Sequence, residues 1–302
     1  MALRATVRPA CPLCGARRRR QVLEARDTWI PRAGGRLYGV ARCSACGALY
    51  TSPRPAQRSF DAGYPFYQRS RQVLGGTAVL DLAQARRPFL ARARRLEEIA
   101  GRPGRLLDVG CGDGVFCHLM RRRGWETTGV DREPLVVFHA RDVLGLDCRI
   151  LDVERQDLPE GPFDAVTLWG VLQLSRRPRQ LLERVRERLA PRGVLAIGVS
   201  NAAGAGASLF GSAWRGWGLP RHLVHFTADT LSWLARAAGF EVAALAFQTP
   251  PWMVEGSLQA TGPGERAGLR RRVTRLARGP RSDTMELYAR AQRRLHPASG
   301  PF

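Results

Sequence analysis

The sequence predicts an α/β fold in which a mostly parallel, doubly wound sheet of seven strands follows a small four-cysteine module. Three observations support this prediction. From Arg105 onward, short apolar runs alternate with helical patterns, which is typical of a parallel sheet covered by helices on both faces. Two CxxC pairs lie in the first fifty residues, and the glycine-rich segment LLDVGCGDG ends the first apolar run of the sheet. We therefore expect a metal-stabilised module joined to a domain that binds a nucleotide-like ligand.

The composition allows a large buried core and indicates a basic surface. The chain has 302 residues, of which 44% are hydrophobic, so it can form one large domain and a smaller unit. Its formal net charge of +22 comes from arginine alone, because the sequence contains no lysine. This excess predicts attraction to polyanions such as RNA, nucleotide-activated substrates or anionic membrane surfaces. No apolar stretch suits a signal peptide or a membrane span, so we expect a cytoplasmic protein.

These patterns divide the chain into three regions. Residues 1–55 form the four-cysteine module, residues 56–100 a connector and an amphipathic helix, and residues 101–302 the α/β domain. An insertion is predicted at about 250–281, where proline, glycine and arginine are frequent.

Two stretches allow alternative interpretations. The connector is rich in proline and aromatic residues, and its Tyr64, Phe66 and Tyr67 either cover the ligand as a lid or pack between the two units. In the insertion, three apolar residues at helical spacing either make a peripheral membrane contact on anionic lipid or belong to a solvated helix. These three residues are Leu269, Val273 and Leu276.

Helical patterns flank the α/β domain. From about Gly76 to Ala100, apolar residues recur at helical spacing, and the segment GRPG stops the pattern. In FTADTLSWLARAAGF, Thr227 suits the N-cap of a helix and Gly239 suits its C-terminal stop. The apolar segments FEVAALAFQ and DTMELYARA predict the last two strands of the sheet.

The four N-terminal cysteines form two knuckles, CPLCGA and CSACGALY. In a CxxC knuckle a tight turn lets two thiolates point at one metal, and a second knuckle completes a tetrahedral shell of four sulfurs. A redox pair or a disulfide framework is the alternative, but the duplicated knuckle and the lack of a secretory signal count against both. We therefore predict a zinc ribbon in which one structural Zn2+ is bound by Cys11, Cys14, Cys43 and Cys46.

The glycine-rich segment predicts the main ligand site. An apolar strand ends in Asp108, and three glycines then lead into a helix, which lets the backbone turn sharply and approach a ligand. The spacing GxGxG differs from the dinucleotide fingerprint GxGxxG, in which the third glycine serves a pyrophosphate. A cofactor without phosphates fits this spacing. If that cofactor carries a methionine group, the nearby carboxylate of Asp108 would stabilise its ammonium. The glycines are Gly110, Gly112 and Gly114.

Side chains at the ends of the next strands complete the predicted site. Asp131 ends the second strand, where a carboxylate can accept hydrogen bonds from both ribose hydroxyls. Asp152, with Val153 beside it, ends the third strand and either reaches an adenine amino group or serves as an ordinary loop acid. Trp169 ends the fourth strand at the ligand edge of the sheet. The predicted cofactor site comprises Asp108, Gly110, Cys111, Gly112, Gly114, Asp131, Arg132, Asp152, Val153 and Trp169.

These residues resemble the class I S-adenosylmethionine-dependent methyltransferases, with a motif match over Leu106 to Ala244. The resemblance implies a Rossmann-like domain, in which Asp108 and the three glycines match the first cofactor motif and Asp131 matches the ribose-binding acid. With the cysteine ribbon, YTSPRP and GLPRHLVHFTADTLSWLARAAGF, the chain resembles small-molecule methyltransferases with N-terminal zinc-binding modules, a subgroup that includes deoxysugar C-methyltransferases. The resemblance implies S-adenosyl-L-methionine as the cofactor. It indicates the cofactor more specifically than the methyl acceptor.

The resemblance implies in-line methyl transfer to a small-molecule acceptor, such as a sugar, a cell-surface intermediate or a secondary-metabolite intermediate. A hydroxyl or carbon acceptor needs a general base, and His222 and His225 are the candidates, with a structural role as the alternative for each. One alternative function is an RNA methyltransferase whose ribbon and Arg17 to Arg20 bind phosphates. Another is a non-enzymatic, zinc-dependent interaction protein. The acceptor, the attacked atom and the oligomeric state stay open.

Overall fold

A computed structural model describes residues 6–27, 37–55 and 82–292. The predicted lid residues lie outside these ranges: Tyr64, Phe66 and Tyr67. Five short strands form the N-terminal module: β1 (Thr6–Val7), β2 (Arg19–Ala25), β3 (Tyr38–Cys43), β4 (Leu49–Thr51) and β5 (Arg54–Pro55).

The remaining described strands are β6 (Arg105–Val109), β7 (Glu126–Asp131), β8 (Asp147–Ile150), β9 (Phe163–Trp169), β10 (Leu189–Ser200), β11 (Val224–His225), β12 (Phe240–Gln248) and β13 (Thr284–Ala291). Seven of them form one sheet in the order β12-β13-β10-β9-β6-β7-β8. Strands β6 to β10 pair in parallel, and β13 pairs antiparallel with both β10 and β12. This sheet confirms the predicted α/β fold.

Helices cover both faces of the sheet, because successive strand residues point to opposite sides and both sides are buried. Leu106 packs under the first two helices, whereas its neighbour Leu107 packs in the core on the other face. The described α-helices are α1 (Leu82–Ala100), α2 (Val115–Arg121), α3 (Pro134–Asp142), α4 (Pro178–Arg188), α5 (Ala205–Phe210), α6 (Ala228–Ala237), α7 (Pro251–Gln259) and α8 (Arg266–Leu276).

The predicted N-cap of α6 is confirmed at Thr227. Its hydroxyl oxygen accepts a hydrogen bond from the backbone N–H of Thr230 at 3.3 Å, and the Thr230 hydroxyl accepts one from the N–H of Thr227 at 2.9 Å. This reciprocal capping box satisfies two donors that the first turn of a helix leaves unpaired. The helix ends just before Gly239, which has φ +84°. The sequence pattern predicts this end.

The N-terminal module shares a sheet with the α/β domain. Strand β11 pairs antiparallel with β4, with Val224 opposite Tyr50, and the four strands lie in the order β11-β4-β3-β2. Cys11, Cys43 and Tyr50 belong to the same hydrophobic core as Val224. The two units are therefore packed as one body, which the division by sequence at residue 55 did not predict.

The insertion contains α7 and α8. Val273 is fully buried on α8, and Leu269 packs against the same core, to which Trp214 and the ribbon residue Val40 also belong. Two residues of the apolar stripe that we considered as a membrane contact, Leu269 and Val273, therefore pack against the protein. None of the described helices is long and apolar enough to cross a bilayer.

Candidate active site

A cavity of about 510 Å³ lies at the carboxyl ends of the central strands, where open α/β sheets bind their ligands. Nine of the ten predicted cofactor residues line it. They are Asp108, Gly110, Cys111, Gly112, Asp131, Arg132, Asp152, Val153 and Trp169. The tenth residue, Gly114, is not among the residues of the cavity wall.

The glycine loop has two different functions. Gly110 has φ +75°, and a Cβ there would collide with the side chain of Val171, so the close approach of Val171 to the loop requires glycine. Gly114 has φ +80° at the start of α2, and a Cβ there would lie 2.8 Å from the Cβ of Ala140 on α3. Gly114 therefore serves the close packing of α3 against the loop, rather than the surface of the cavity.

Asp108 is a buried carboxylate beneath this loop. The Thr167 hydroxyl donates a hydrogen bond of 2.6 Å to Oδ1, and the Cys117 thiol lies 3.8 Å from Oδ2. Burial raises the pKa of Asp108 from 3.8 to about 7, and the Thr167 hydrogen bond offsets only part of this shift. A cationic group beside Asp108 would stabilise the ionised form of this carboxyl group.

Asp131 joins the end of β7 to the glycine loop. Its Oδ2 accepts a hydrogen bond of 3.0 Å from the N–H of Gly112, and its Oδ1 accepts one of 2.9 Å from the N–H of Glu133, just before α3. Each carboxylate oxygen can accept a second hydrogen bond. Asp131 can thus hold the loop and still accept hydrogen bonds from a pair of hydroxyls.

Asp152 fits both interpretations of its role. Its Oδ1 accepts a hydrogen bond of 3.0 Å from the N–H of Glu154, and Oδ2 lies 3.7 Å from Nε of Arg155. It therefore organises its own turn, as a loop acid does. Asp152 and Val153 also line the cavity.

Of the two candidate bases, His222 lines the cavity and His225 does not. Nδ1 of His222 lies 3.1 Å from the Gly216 carbonyl oxygen, so this nitrogen carries the proton, and Nε2 accepts a hydrogen bond of 3.1 Å from Nε2 of Gln173. Burial lowers the pKa of His222 to about 4, so its imidazole is neutral at physiological pH.

His225 lies outside the cavity wall and contacts the ribbon. Its Nε2 lies 3.0 Å from Oγ1 of Thr51 in the ribbon, and its ring packs edge-on against Trp217 at 5.2 Å. Burial lowers the pKa of His225 to about 3. Thr51 in turn donates a hydrogen bond of 2.6 Å to the carbonyl of His222 and one of 3.0 Å from its N–H to Leu223. The ribbon therefore supports the backbone that carries His222.

The four ribbon cysteines converge on one point. Sγ of Cys11 lies 3.6 Å from that of Cys46, Sγ of Cys14 lies 3.6 Å from that of Cys43, and all four lie within 4.8 Å of one another. A tetrahedral Zn2+ with bonds of about 2.3 Å would separate its sulfurs by about 3.8 Å. A disulfide requires about 2.05 Å. The spacing fits a metal shell of four cysteine sulfurs and does not fit two disulfides.

A sequence profile of a family described as a methyltransferase domain matches residues 82–245, which is more than half of the chain. The chain belongs to this methyltransferase family. The match confirms that the protein is an S-adenosylmethionine-dependent methyltransferase of class I. The four-cysteine ribbon lies outside the matched residues.

Relatives of the methyltransferase agree with this assignment. The ubiquinone biosynthesis O-methyltransferase of Xanthomonas campestris pv. campestris is 31% identical over 160 residues, which cover 47% of this chain and 67% of that protein. Two solved structures share the fold. The 1,6-didemethyltoxoflavin-N1-methyltransferase of Burkholderia thailandensis, with S-adenosylhomocysteine bound, has a TM-score of 0.53 and 20% identity over 85% of this chain and 96% of its own. A methyltransferase from Archaeoglobus fulgidus has a TM-score of 0.52 and 18% identity over 74% of this chain and 99% of its own.

The methyltransferase cavity also contains residues that we did not predict. Arg92 on α1 lines it beside Trp169, and Gln173 and Arg221 line it near His222. A signal for Arg92 is present in the sequence, because it lies three residues after Phe89 and four before Leu96, on the apolar face of the amphipathic helix. Gln173 and Arg221 lie in irregular segments, where periodicity gives no such signal.

Proposed function

We propose that this methyltransferase transfers a methyl group from S-adenosylmethionine to an oxygen atom of a small-molecule acceptor bound in the same cavity. The observation that carries the proposal is the continuity of the cavity, whose wall includes Asp108 and Asp131 on one side and His222 on the other. The similarity to ubiquinone biosynthesis O-methyltransferases supports oxygen as the attacked atom.

The cofactor half of the cavity fits S-adenosylmethionine. Asp108 would hold the methionine ammonium, and Asp131 would accept hydrogen bonds from the ribose hydroxyls. Gly110 and Gly112 of the glycine loop line the same cavity. When bound, the cofactor supplies an electrophilic methyl group on a sulfonium whose C–S bond breaks as the new C–O bond forms.

His222 would receive the proton that the acceptor hydroxyl loses. Its imidazole is neutral and therefore able to accept a proton, although burial makes it a weak base. Because the Gln173 amide is hydrogen-bonded to Nε2 of His222, the acceptor hydroxyl has to replace this amide there. His225 would then stabilise the fold through Thr51 rather than take part in the chemistry.

The ribbon would bind one structural Zn2+ through its four cysteines. Four sulfurs at this spacing close the coordination shell, which leaves no open position for a reacting group. We therefore assign the metal a supporting role, through β4 and Thr51, and no chemical role.

Calorimetric titration tests the proposal directly. Zinc-replete protein is titrated with S-adenosylmethionine, S-adenosylhomocysteine and, as a control, NAD. We expect micromolar-range binding of the first two and none of NAD. Screening with labelled cofactor then compares hydroxylated small molecules with RNA; methylation of RNA alone, with salt-sensitive RNA binding, would replace our proposal with the RNA methyltransferase alternative.

Asp108 provides a pH-dependent test. Because its pKa is raised to about 7 in the folded protein, its contribution to the free energy of unfolding is fully present below pH 3.8 and is lost as the pH rises toward 7. We expect Asp108→Asn to raise the Tm of the ligand-free protein at pH 8 by on the order of 5 °C, and to have little effect near pH 4. The same variant should bind S-adenosylhomocysteine about 10-fold more weakly at pH 8.

The control for this prediction is Asp157→Asn. The Asp157 side chain is 92% exposed. The Asp157→Asn variant should therefore have the Tm of the native protein at both pH values and the native affinity for S-adenosylhomocysteine. If Asp108→Asn is no more stable than the native protein at pH 8, the carboxyl does not have a raised pKa.

Substitution of His222 tests its role as the base. With an acceptor from the screen, we expect His222→Asn to lower kcat by on the order of 100-fold, with S-adenosylhomocysteine affinity unchanged. The native kcat should not fall between pH 8 and pH 6, since the pKa of His222 is already about 4. His225→Asn should instead lower the Tm and preserve most of kcat. An increase in KM without a fall in kcat would make His222 a positioning residue.

A further inference from the structure

Acidic and basic side chains both line the cavity. Asp108, Asp131 and Asp152 lie at or just after the ends of β6, β7 and β8. Two arginines, Arg92 and Arg221, lie on α1 and just before β11. A cationic cofactor and an anionic acceptor would each meet the opposite charge in this arrangement.

Arg92 is the more available of the two arginines. Both terminal nitrogens of Arg221 are bound by the ribbon carboxylate Asp27, at 3.0 and 2.6 Å. Arg92 instead uses Nε, which donates a hydrogen bond of 2.7 Å to Oε1 of Glu286. Among the described residues, neither Nη atom of Arg92 has a hydrogen-bond partner. These two nitrogens form the fork that recognises carboxylates.

Glu286 holds the Arg92 guanidinium in place. It is a buried carboxylate, and it also accepts hydrogen bonds from Nε2 of Gln248 at 3.0 Å and from the Tyr288 hydroxyl at 2.8 Å. Three donors thus share its charge and fix its orientation. The guanidinium needs little reorganisation to bind an oxyanion, which favours affinity.

Aromatic rings surround the guanidinium. Arg92 lies over the ring of Trp169, at 4.8 Å from its centroid, and over that of Phe89, at 5.4 Å. Trp252, whose surface is half exposed, also lines the cavity.

We propose that the acceptor is a planar, aromatic molecule that carries an oxyanion, most simply a carboxylate, and that the Nη atoms of Arg92 bind this group. This inference rests on the proposed function, because it assigns the acceptor of the same cavity. The aromatic walls hold the ring, and the carboxylate sets which ring hydroxyl faces His222. Arg92 is therefore a residue that determines acceptor specificity.

The test compares an acid with its neutral isostere. Protein saturated with S-adenosylhomocysteine is titrated calorimetrically with 3,4-dihydroxybenzoate and with 3,4-dihydroxybenzamide. We expect the acid to bind at least about 10-fold more tightly, as one charge-assisted contact contributes. In the double variant Arg92→Gln/Glu286→Gln, which leaves no buried carboxylate unpaired, the difference should disappear while S-adenosylhomocysteine affinity is retained.

Arg94→Gln is the matched control, since Arg94 lies exposed on the same helix, and it should keep the preference for the acid. Equal binding of acid and amide by the native protein, binding of neither, or a preference that survives the double variant would each overturn the proposal. Failure of S-adenosylhomocysteine itself to bind would instead contradict the proposed function, and the two failures are therefore distinguishable.

Discussion

Replacement of Asp131 by alanine is expected to reduce the affinity for S-adenosylhomocysteine by on the order of 100-fold or more. The variant would lose the two proposed hydrogen bonds from the ribose hydroxyls to the charged carboxylate. The substitution also removes the acceptor for the N–H groups of Gly112 and Glu133. The glycine loop then loses its attachment to the end of β7. Calorimetric titration at one pH, with the fold checked by circular dichroism, measures the effect.

Two variants separate these contributions. Asp131→Asn keeps one carbonyl oxygen for the loop and should lose less affinity than Asp131→Ala. Asp157→Ala removes an acid whose side chain is 92% exposed and should bind like the native protein. A folded Asp131→Ala variant with native affinity would show that this carboxylate does not bind the cofactor.

Replacement of Cys11 by serine is expected to abolish stoichiometric zinc and to unfold the ribbon. Structural zinc sites contribute on the order of 10 kcal/mol in small metal-binding modules, and Cys11 is buried in the same core as Val224 and Phe226. Because that core extends into the α/β domain, we expect the unfolding transition of the whole chain to move to lower temperature. Metal analysis and scanning calorimetry measure the two effects.

The matched control lies in the second knuckle. Ser44 is exposed between Cys43 and Cys46, and Ser44→Ala should retain the metal and the native Tm. Two results together would exclude a metal role for the four cysteines. The native protein would contain no zinc after purification in its presence, and the Cys11→Ser variant would unfold at the native temperature.

The half of the cavity that we assign to the cofactor was predictable because each of its features is local. Asp108, Gly110 and Gly112 lie within five residues, and a strand followed by a tight turn places them at one edge of the sheet. Asp131 follows from the same rule applied to the next parallel strand. The N-cap at Thr227 needs only its own first turn. Local rules of this kind describe most of the parallel sheet.

The half of the cavity that we propose for the acceptor depends on contacts between distant segments. Arg92, Gln248 and Glu286 meet although they lie on α1, β12 and β13. No periodicity in the sequence determines which polar residue a buried arginine will contact. The pairing of β11 with β4 joins residues more than 170 positions apart, and a two-residue strand gives almost no pattern of its own. The distinction between His222 and His225 also depends on this pairing.

The strand contributed by the catalytic domain to the ribbon changes what counts as a module in this protein. Cutting the chain after residue 55 would remove the partner of β11 and leave Arg221 as a buried cation without Asp27. An exchange of the ribbon that keeps these contacts has to include the loop from Arg221 to Phe226. In an engineered chimaera, the metal-binding segment and part of the acceptor wall would have to be inherited together, although they are distant in sequence.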